Sequence, residues 1–310
     1  MFEKFSNLKI LVTGDVMLDQ YWFGDVARIS PEAPVPICKI NKSEIRLGGA
    51  ANVAANLAAL GVQTSLLSIL GTDEAGSNIQ KLAQKAGIQT LLHTDKMLAT
   101  IVKLRVIGRG QQLLRIDFET SPSQETLSAK FANFKKEVSK NDLIVLSDYG
   151  KGALLYAPEM IAICKEKGKA IFIDPKGDDY EKYRGATLIT PNRQELESVV
   201  GKWHSESDLE QRAQKLRESL EIEALLVTRS EEGMSLFTKN GVLHQKAQEV
   251  REVFDVSGAG DTVIATIAAT RAAGATWQNA LHWATLAAGV VIGKLGTAVI
   301  TPQELQTLIN

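Results

Sequence analysis

The chain has 310 residues, 45% of them hydrophobic, with 35 basic against 36 acidic side chains and a formal net charge of -1. A chain of this size buries one large core or two smaller ones, and its balanced charge offers no field to draw in nucleic acid or an anionic membrane. Cys38 and Cys164 lie far apart and form no CxxC pair, which speaks against a disulfide framework or a zinc site and for a reducing, cytoplasmic compartment.

In chain order, the opening MFEKFSNLKILVTG carries an early acidic residue and only a short apolar run, too little for a secretory leader. The β-branched run at 8–13 ends on Gly14 and predicts a buried parallel strand. No GxGxxG follows that glycine, which disfavours a dinucleotide-binding oxidoreductase. Residues 20–46 and 99–118 predict a small accessory sheet, the second of them through KLRVIGRGQQLLRIDFE, two strands joined by a turn at Gly108, Arg109 and Gly110. Over the carboxyl ends of the main strands, where open α/β sheets take ligands, such a sheet would serve as a lid and a dimer surface. Two surface hairpins without a role are the plainer alternative.

Helical patterns at 49–60, 74–86, 124–138, 156–167 and 208–219 alternate with further apolar runs at 143–146, 170–173, 187–189 and 224–227. That alternation predicts the α/β class: a three-layer, doubly wound, mostly parallel sheet in a single domain over 1–310, with the lid strands inserted in it. GTDEAGSN at 71–78 has glycines at P-loop spacing, but Ser77 stands where the phosphate-binding lysine is required. Around 284–293 the apolar stretch is well short of the roughly 18 residues of a membrane helix. His93, His204, His244 and His282 show no metal-ligand spacing and receive no role.

The chemistry concentrates at 255–262, DVSGAGDT, just before an apolar helical run. Gly258, Ala259 and Gly260 sit where a helix begins, so their amides lack intrahelical partners and can approach phosphate oxygens as an anion hole. Asp261 directly follows, placed to accept a proton from an attacking hydroxyl. By itself the segment reads equally well as a tight turn with Asp261 opening the helix.

DVSGAGDT closely resembles the second signature of the ribokinase-like, or PfkB, carbohydrate kinases, and GGAANVAANLAALG at 48–61 resembles their first, in the same order along the chain. The resemblance implies an ATP-dependent sugar kinase with Asp261 as catalytic base. It also implies a sugar site at Gly48, Gly49 and Asn52, with Asp19 of GDVMLDQ bonding sugar hydroxyls. TPNRQE at 190–195 resembles the family's N-x-x-E element, which would make Asn192 and Glu195 the holders of magnesium, largely through water, beside the ATP phosphates. The same two residues also spell a helix capping box. VTRSEEG at 227–233 looks like the nucleotide-side strand end, with Thr228, Ser230 and Gly233 as ATP contacts, and the helix with Ala287, Ala288 and Gly289 like part of an adenine pocket. Asp255 and Ser257 resemble a monovalent-cation loop, for potassium, found in some members.

ARISPEAPVP at 27–36, LLRIDFE at 113–119, LSDYGKGAL at 146–154 and DPKG at 174–177 narrow the resemblance to members that act on D-glycero-D-manno-heptose 7-phosphate. They phosphorylate its anomeric hydroxyl, on the route to ADP-heptose for lipopolysaccharide. An adenylyltransferase domain follows the kinase in many of them, and the sequence ends at TPQELQTLIN without one. A phosphorylated substrate calls for fixed cations, and Lys103, Arg105 and Lys151, with Arg109 and Arg115 behind them, are the candidates. Lys176 in DPKG is assigned to the nucleotide phosphates. Kinases of the same fold for another sugar, sugar phosphate or nucleoside, and a non-catalytic sugar-binding regulator, are the alternatives carried forward.

Overall fold

The computed structural model describes residues 2–248 and 255–307. Its first half runs β1 (Lys9–Gly14), β2 (Val16–Ile29), β3 (Pro36–Gly49), α1 (Ala50–Ala59), β4 (Gln63–Gly71), α2 (Glu74–Lys85), β5 (Gln89–Asp95), β6 (Val102–Gly108), β7 (Gln111–Phe118), α3 (Gln124–Glu137) and β8 (Leu143–Ser147). There follow α4 (Ala157–Glu166), β9 (Ala170–Asp174), β10 (Leu188–Ile189), α5 (Arg193–Val200), α6 (Glu206–Ser219), β11 (Ala224–Thr228), β12 (Met234–Thr238), β13 (Gly241–Gln245), α7 (Ala259–Ala272), α8 (Trp277–Ile292) and α9 (Pro302–Thr307).

Strands buried on both faces need apolar side chains in both directions, and β1, β8 and β11 supply them. Val12, Leu66, Val145 and Leu226 point to one face, covered by α1, α2, α7, α8 and α9, while Leu11, Leu67, Ile144 and Leu225 point to the other, covered by α3 to α6. The nine-stranded sheet has the order β13-β12-β11-β10-β9-β8-β1-β4-β5, with β12 and β13 as an antiparallel edge on an otherwise parallel sheet. Strand order reverses beside β1, between β8 and β4, and the crevice at such a switch point is where this architecture takes ligands.

The three-layer α/β expectation matches this arrangement, but β4, β5 and the β12–β13 hairpin have no counterpart among the predicted strands. In β4 the reason is visible: QTSLLSILG is interrupted by hydroxyls that are nonetheless buried. Ser68 Oγ donates to the Gly14 carbonyl at 2.6 Å and Thr64 Oγ1 to that of Val62 at 3.0 Å, so a central strand need not read as continuously apolar.

The accessory sheet is four-stranded, in the order β3-β2-β6-β7. Its strands reach further into the body than 20–46 and 99–118 suggested, since β2 starts only one residue beyond β1. Residues 16–19 of β2 are buried and its far end is exposed, so one strand ties the core to the outer sheet. At the tip of the β6–β7 hairpin, Arg109 (φ 51°) and Gly110 (φ 77°) both take the left-handed conformation that a tight two-residue turn requires.

Asp15, between β1 and β2, is 1% exposed and accepts the backbone N–H groups of Tyr149 (2.9 Å), Lys151 (3.0 Å) and Ala153 (2.9 Å), pinning the loop after β8 to the end of β1. Removing it would strand buried donors, at about 1–3 kcal/mol for each one left unsatisfied. Asp15→Ala is therefore expected to destabilise the protein by about 3 kcal/mol or more, read as a lower urea midpoint at an unchanged slope.

Candidate active site

Asp261 lies in the first turn of α7 and is 2% exposed. Its Oδ2 accepts from Asn52 Nδ2 at 2.7 Å and its Oδ1 from the Tyr149 hydroxyl at 2.9 Å. Burial pushes its carboxyl up to about 7, with Asp19 raising it further, while the bonds from Asn52 and Tyr149 and the charge of Lys103 pull it down. Such a group can hold or release a proton near neutrality.

The turn before α7 is shaped by Gly258, whose φ of 79° is left-handed and whose added Cβ would lie 2.7 Å from Asn52 Nδ2. Of the proposed anion-hole amides, those of Gly258 and Gly260 have no hydrogen-bond partner among the described residues. Ala259 departs from that expectation: its N–H donates to the Val256 carbonyl at 3.2 Å. Behind the carboxylate, Thr262 Oγ1 donates to Asn56 Oδ1 at 3.1 Å, and Asn56 Nδ2 donates to the Asn52 carbonyl at 3.0 Å, so α1 and α7 share one buried polar seam. Asn52 is thus a satisfied core residue aimed at Asp261, not a surface amide.

On the lid side, Asp19 is 3% exposed and paired with Arg105, which also lies over the Tyr21 ring at 5.2 Å. Burial raises the Asp19 carboxyl against the pull of Arg105. Gly48 is required beside it, because any Cβ there would run into Asp19 Oδ2. Gly49 caps α1, and its Cβ position looks toward the Tyr149 ring at 3.5 Å. Lys151 is committed to Glu119 at 2.6 Å. Lys103 has no carboxylate within ion-pair distance among the described residues; its Nζ lies 5.6 Å from the Tyr149 ring centre, and burial lowers its pKa. Arg109 donates to the Val26 carbonyl at the hairpin tip and Arg115 pairs with Asp117, both on the exposed part of the lid.

A cavity of about 250 Å³ lies on the other side of Gly260 and is lined by Lys176, Asn192, Glu195 and Thr228 from among the predicted residues. Asn192 and Glu195 form the capping box of α5: Asn192 Oδ1 accepts from Glu195 N–H (2.9 Å) and Glu195 Oε2 from Asn192 N–H (3.1 Å). Lys176 Nζ pairs with Glu195 Oε1 at 2.8 Å. Ser230 and Gly233 are not among the cavity's lining; the Gly233 N–H donates to the Ser230 carbonyl at 3.0 Å, closing the turn between β11 and β12. Asp255 Oδ1 accepts from the Ser257 N–H (2.8 Å) and its Oδ2 from the Gly296 N–H (3.1 Å), joining the 255–257 loop to the end of α8.

The same cavity brings in Asp148, Tyr149, Asp174 and Thr190, to which no role was given from sequence. Burial holds the Asp174 carboxyl well above the ordinary carboxylate range, with Asp261 and Glu195 adding to the effect. The signal available for these residues was positional, since each follows or ends an apolar run at the carboxyl edge of the sheet.

Known proteins resemble this chain in sequence and in fold. Residues 7–304 match the pfkB family carbohydrate kinase. The chain is 52% identical over 303 residues to the D-beta-D-heptose 7-phosphate kinase of Bordetella bronchiseptica (strain ATCC BAA-588 / NCTC 13252 / RB50), covering 98% of this chain and 96% of that one. It is 47% identical over 307 residues to the bifunctional protein HldE of Pasteurella multocida (strain Pm70), covering 99% of this chain but only 64% of that relative's length. Among solved structures, phosphofructokinase-2 from Escherichia coli in complex with potassium shares the fold with a TM-score of 0.82 at 18% identity, covering 97% of each chain. Arabidopsis thaliana ribokinase, complexed with ribose and ATP, does so at 0.78 and 19%, covering 98% of each.

If the Asp261 carboxylate must be ionised to act, kcat/KM will rise about tenfold per pH unit on the acid side and level off above about 7. A pH series of kcat/KM checks this, with an ordinary carboxylate limb near 4 as the contrary result.

Proposed function

The chain belongs to the pfkB family of carbohydrate kinases, and from that premise we propose that it transfers the terminal phosphoryl group of ATP to the anomeric hydroxyl of D-glycero-D-manno-heptose 7-phosphate. The product is the 1,7-bisphosphate, on the way to ADP-heptose. The 52% identity to the Bordetella heptose 7-phosphate kinase, which extends over nearly the whole of both chains, supports the substrate. One structural observation carries the chemistry: a buried carboxylate, oriented by Asn52 and Tyr149, stands in the first turn of a helix at whose start the amides of Gly258 and Gly260 are unpartnered among the described residues, beside a polar cavity.

In this reading the acceptor hydroxyl lies between Asp19 and Asp261 and the ATP phosphates between Gly260 and Lys176. Asp261 takes the hydroxyl proton as the oxygen attacks in line, and the amides of Gly258 and Gly260 stabilise charge on the phosphoryl oxygens. Asn192 and Glu195 suit magnesium held through water: they offer hard oxygen donors on the cavity wall, and each carboxylate oxygen of Glu195 retains accepting capacity beyond its present bond. The bound ion would neutralise charge on the departing ADP. A potassium ion beside Asp255 and Ser257 would further order the loop leading into α7.

Lys103 is the first choice for the substrate phosphate, since Arg105 and Lys151 are already paired with acids. The lid sheet exposes Ile29, Ile40, Leu113, Leu114 and Phe118, and a homodimer through these strands would cover them. No helix among the described residues is long and apolar enough to cross a membrane. A cytoplasmic location suits ATP as donor, and a single kinase domain over 1–310 completes the reading.

Asp261→Asn is expected to keep the fold and ATP binding while lowering kcat by about 10²–10⁴-fold. Coupled ADP release with heptose 7-phosphate, fructose phosphates and ribose tests the acceptor: preference for another sugar would reassign the substrate, and no turnover with any acceptor would favour a sugar-binding regulator. For the lid, Leu114→Glu should shift the molecular mass from dimer to monomer in light scattering, and a monomeric wild type would remove the dimer from the reading.

A further inference from the structure

We propose that Tyr149 is a positioning residue for the reaction: its hydroxyl, delivered by a loop clamped on Asp15, holds the Asp261 carboxylate in one orientation and biases it toward the ionised, proton-accepting form. This rests on the reading of Asp261 as the base and adds a residue to it.

The loop after β8 is fixed on both sides of the tyrosine. Asp15 accepts the amides of Tyr149, Lys151 and Ala153, and Asp148 Oδ1 accepts that of Gly150 at 2.7 Å. Asp148 Oδ2 in turn accepts from the Tyr183 hydroxyl (2.6 Å) and Lys182 Nζ (3.0 Å), while the buried Lys130 donates to the Ala153 carbonyl at 2.6 Å. A loop bonded to three neighbouring segments presents its side chain in one place. That side chain runs past Gly49, where a Cβ would lie 3.5 Å from the ring, and ends on Asp261 Oδ1.

With Asn52 on Oδ2 and Tyr149 on Oδ1, rotation of the carboxylate would break both bonds, so the lone pairs left for an acceptor hydroxyl have fixed directions. Both donors favour the charged form. A phenol suits this role because burial and the adjacent Asp261 keep it protonated well above its ordinary value, so it remains a donor wherever the base titrates. The other charged groups acting on Asp261 are Asp19 and Asp174, which oppose ionisation, and Lys103, which favours it. Tyr149 is the titratable group that reaches it with a hydrogen bond.

The test uses two variants of the whole chain in kinase assays with ATP and heptose 7-phosphate. In Tyr149→Phe the acid limb of kcat/KM should move to higher pH by about half to one unit, and kcat near neutrality should fall roughly tenfold and partly recover at alkaline pH. Replacing Tyr149 by 3-fluorotyrosine, similar in shape but a stronger donor, should move the limb the opposite way. Opposite shifts support the inference; limbs that coincide with wild type in both variants overturn it, as does a Phe variant with uniformly reduced activity and a fluorotyrosine variant with an unshifted limb. If the Phe variant is inactive at all pH values, the direction of the fluorotyrosine shift decides. Asp261→Asn separates the two levels: retained turnover there refutes the base itself, whereas loss of turnover combined with unshifted tyrosine limbs refutes Tyr149 alone.

Discussion

A carboxylate removed from water must either be supplied with donors or surrender its charge, and the organisation of this molecule follows from that constraint at Asp261. Desolvation of a lone carboxylate costs several kcal/mol or more. Two donors from different parts of the chain, Asn52 on α1 and Tyr149 after β8, offset part of that cost and leave the group poised near neutrality. The partial positive charge at the start of α7 acts in the same direction. Neither donor is free to wander, since Asn52 belongs to the seam with Asn56 and Thr262, and Tyr149 rides on a loop bonded to Asp15.

The switch point of the sheet makes this convergence possible. β1 and β8 are neighbours whose following segments diverge, β2 climbing into the lid and the 148–153 loop crossing back under Asp15. Because β2 starts only one residue beyond β1, the strand that carries Asp19 runs from the core into the outer sheet, and the β2–β6 pairing sets Lys103 opposite Asp19 and Arg105 opposite Tyr21. In the proposed reading the acceptor side of the cleft is thus built on strands and the donor side on helix starts, with Asp261 where the two meet.

Much of the fold was legible in sequence because parallel strands buried on both faces announce themselves as apolar β-branched runs, as at 8–13 and 143–146. β4 escaped notice since Ser68 and Thr64 find backbone carbonyls inside the core, so its hydroxyls carry no burial penalty. The β6–β7 turn was readable for a local reason, the positive φ that Arg109 and Gly110 must share. Within the site, the small residues before α7 marked a helix start, whereas Gly48 and Gly258, assigned from sequence to sugar and phosphate, proved to leave room for Asp19 and Asn52.

What the sequence determined by itself is what depends on near neighbours: strand and helix periods, tight turns, the capping box of Asn192 and Glu195, and the position of Asp261 directly after a glycine-rich helix start. Only the tertiary structure decided which residues meet across long separations in the chain. Asn52 as a donor to Asp261, Tyr149 at the other carboxylate oxygen, Asp15 as the clamp of that loop, and Arg105 spent on Asp19 while Lys103 stays unpaired among the described residues are all of this kind. Hydrogen bonds and ion pairs act over a few ångströms of space whatever the distance along the chain, and only folding fixes those distances.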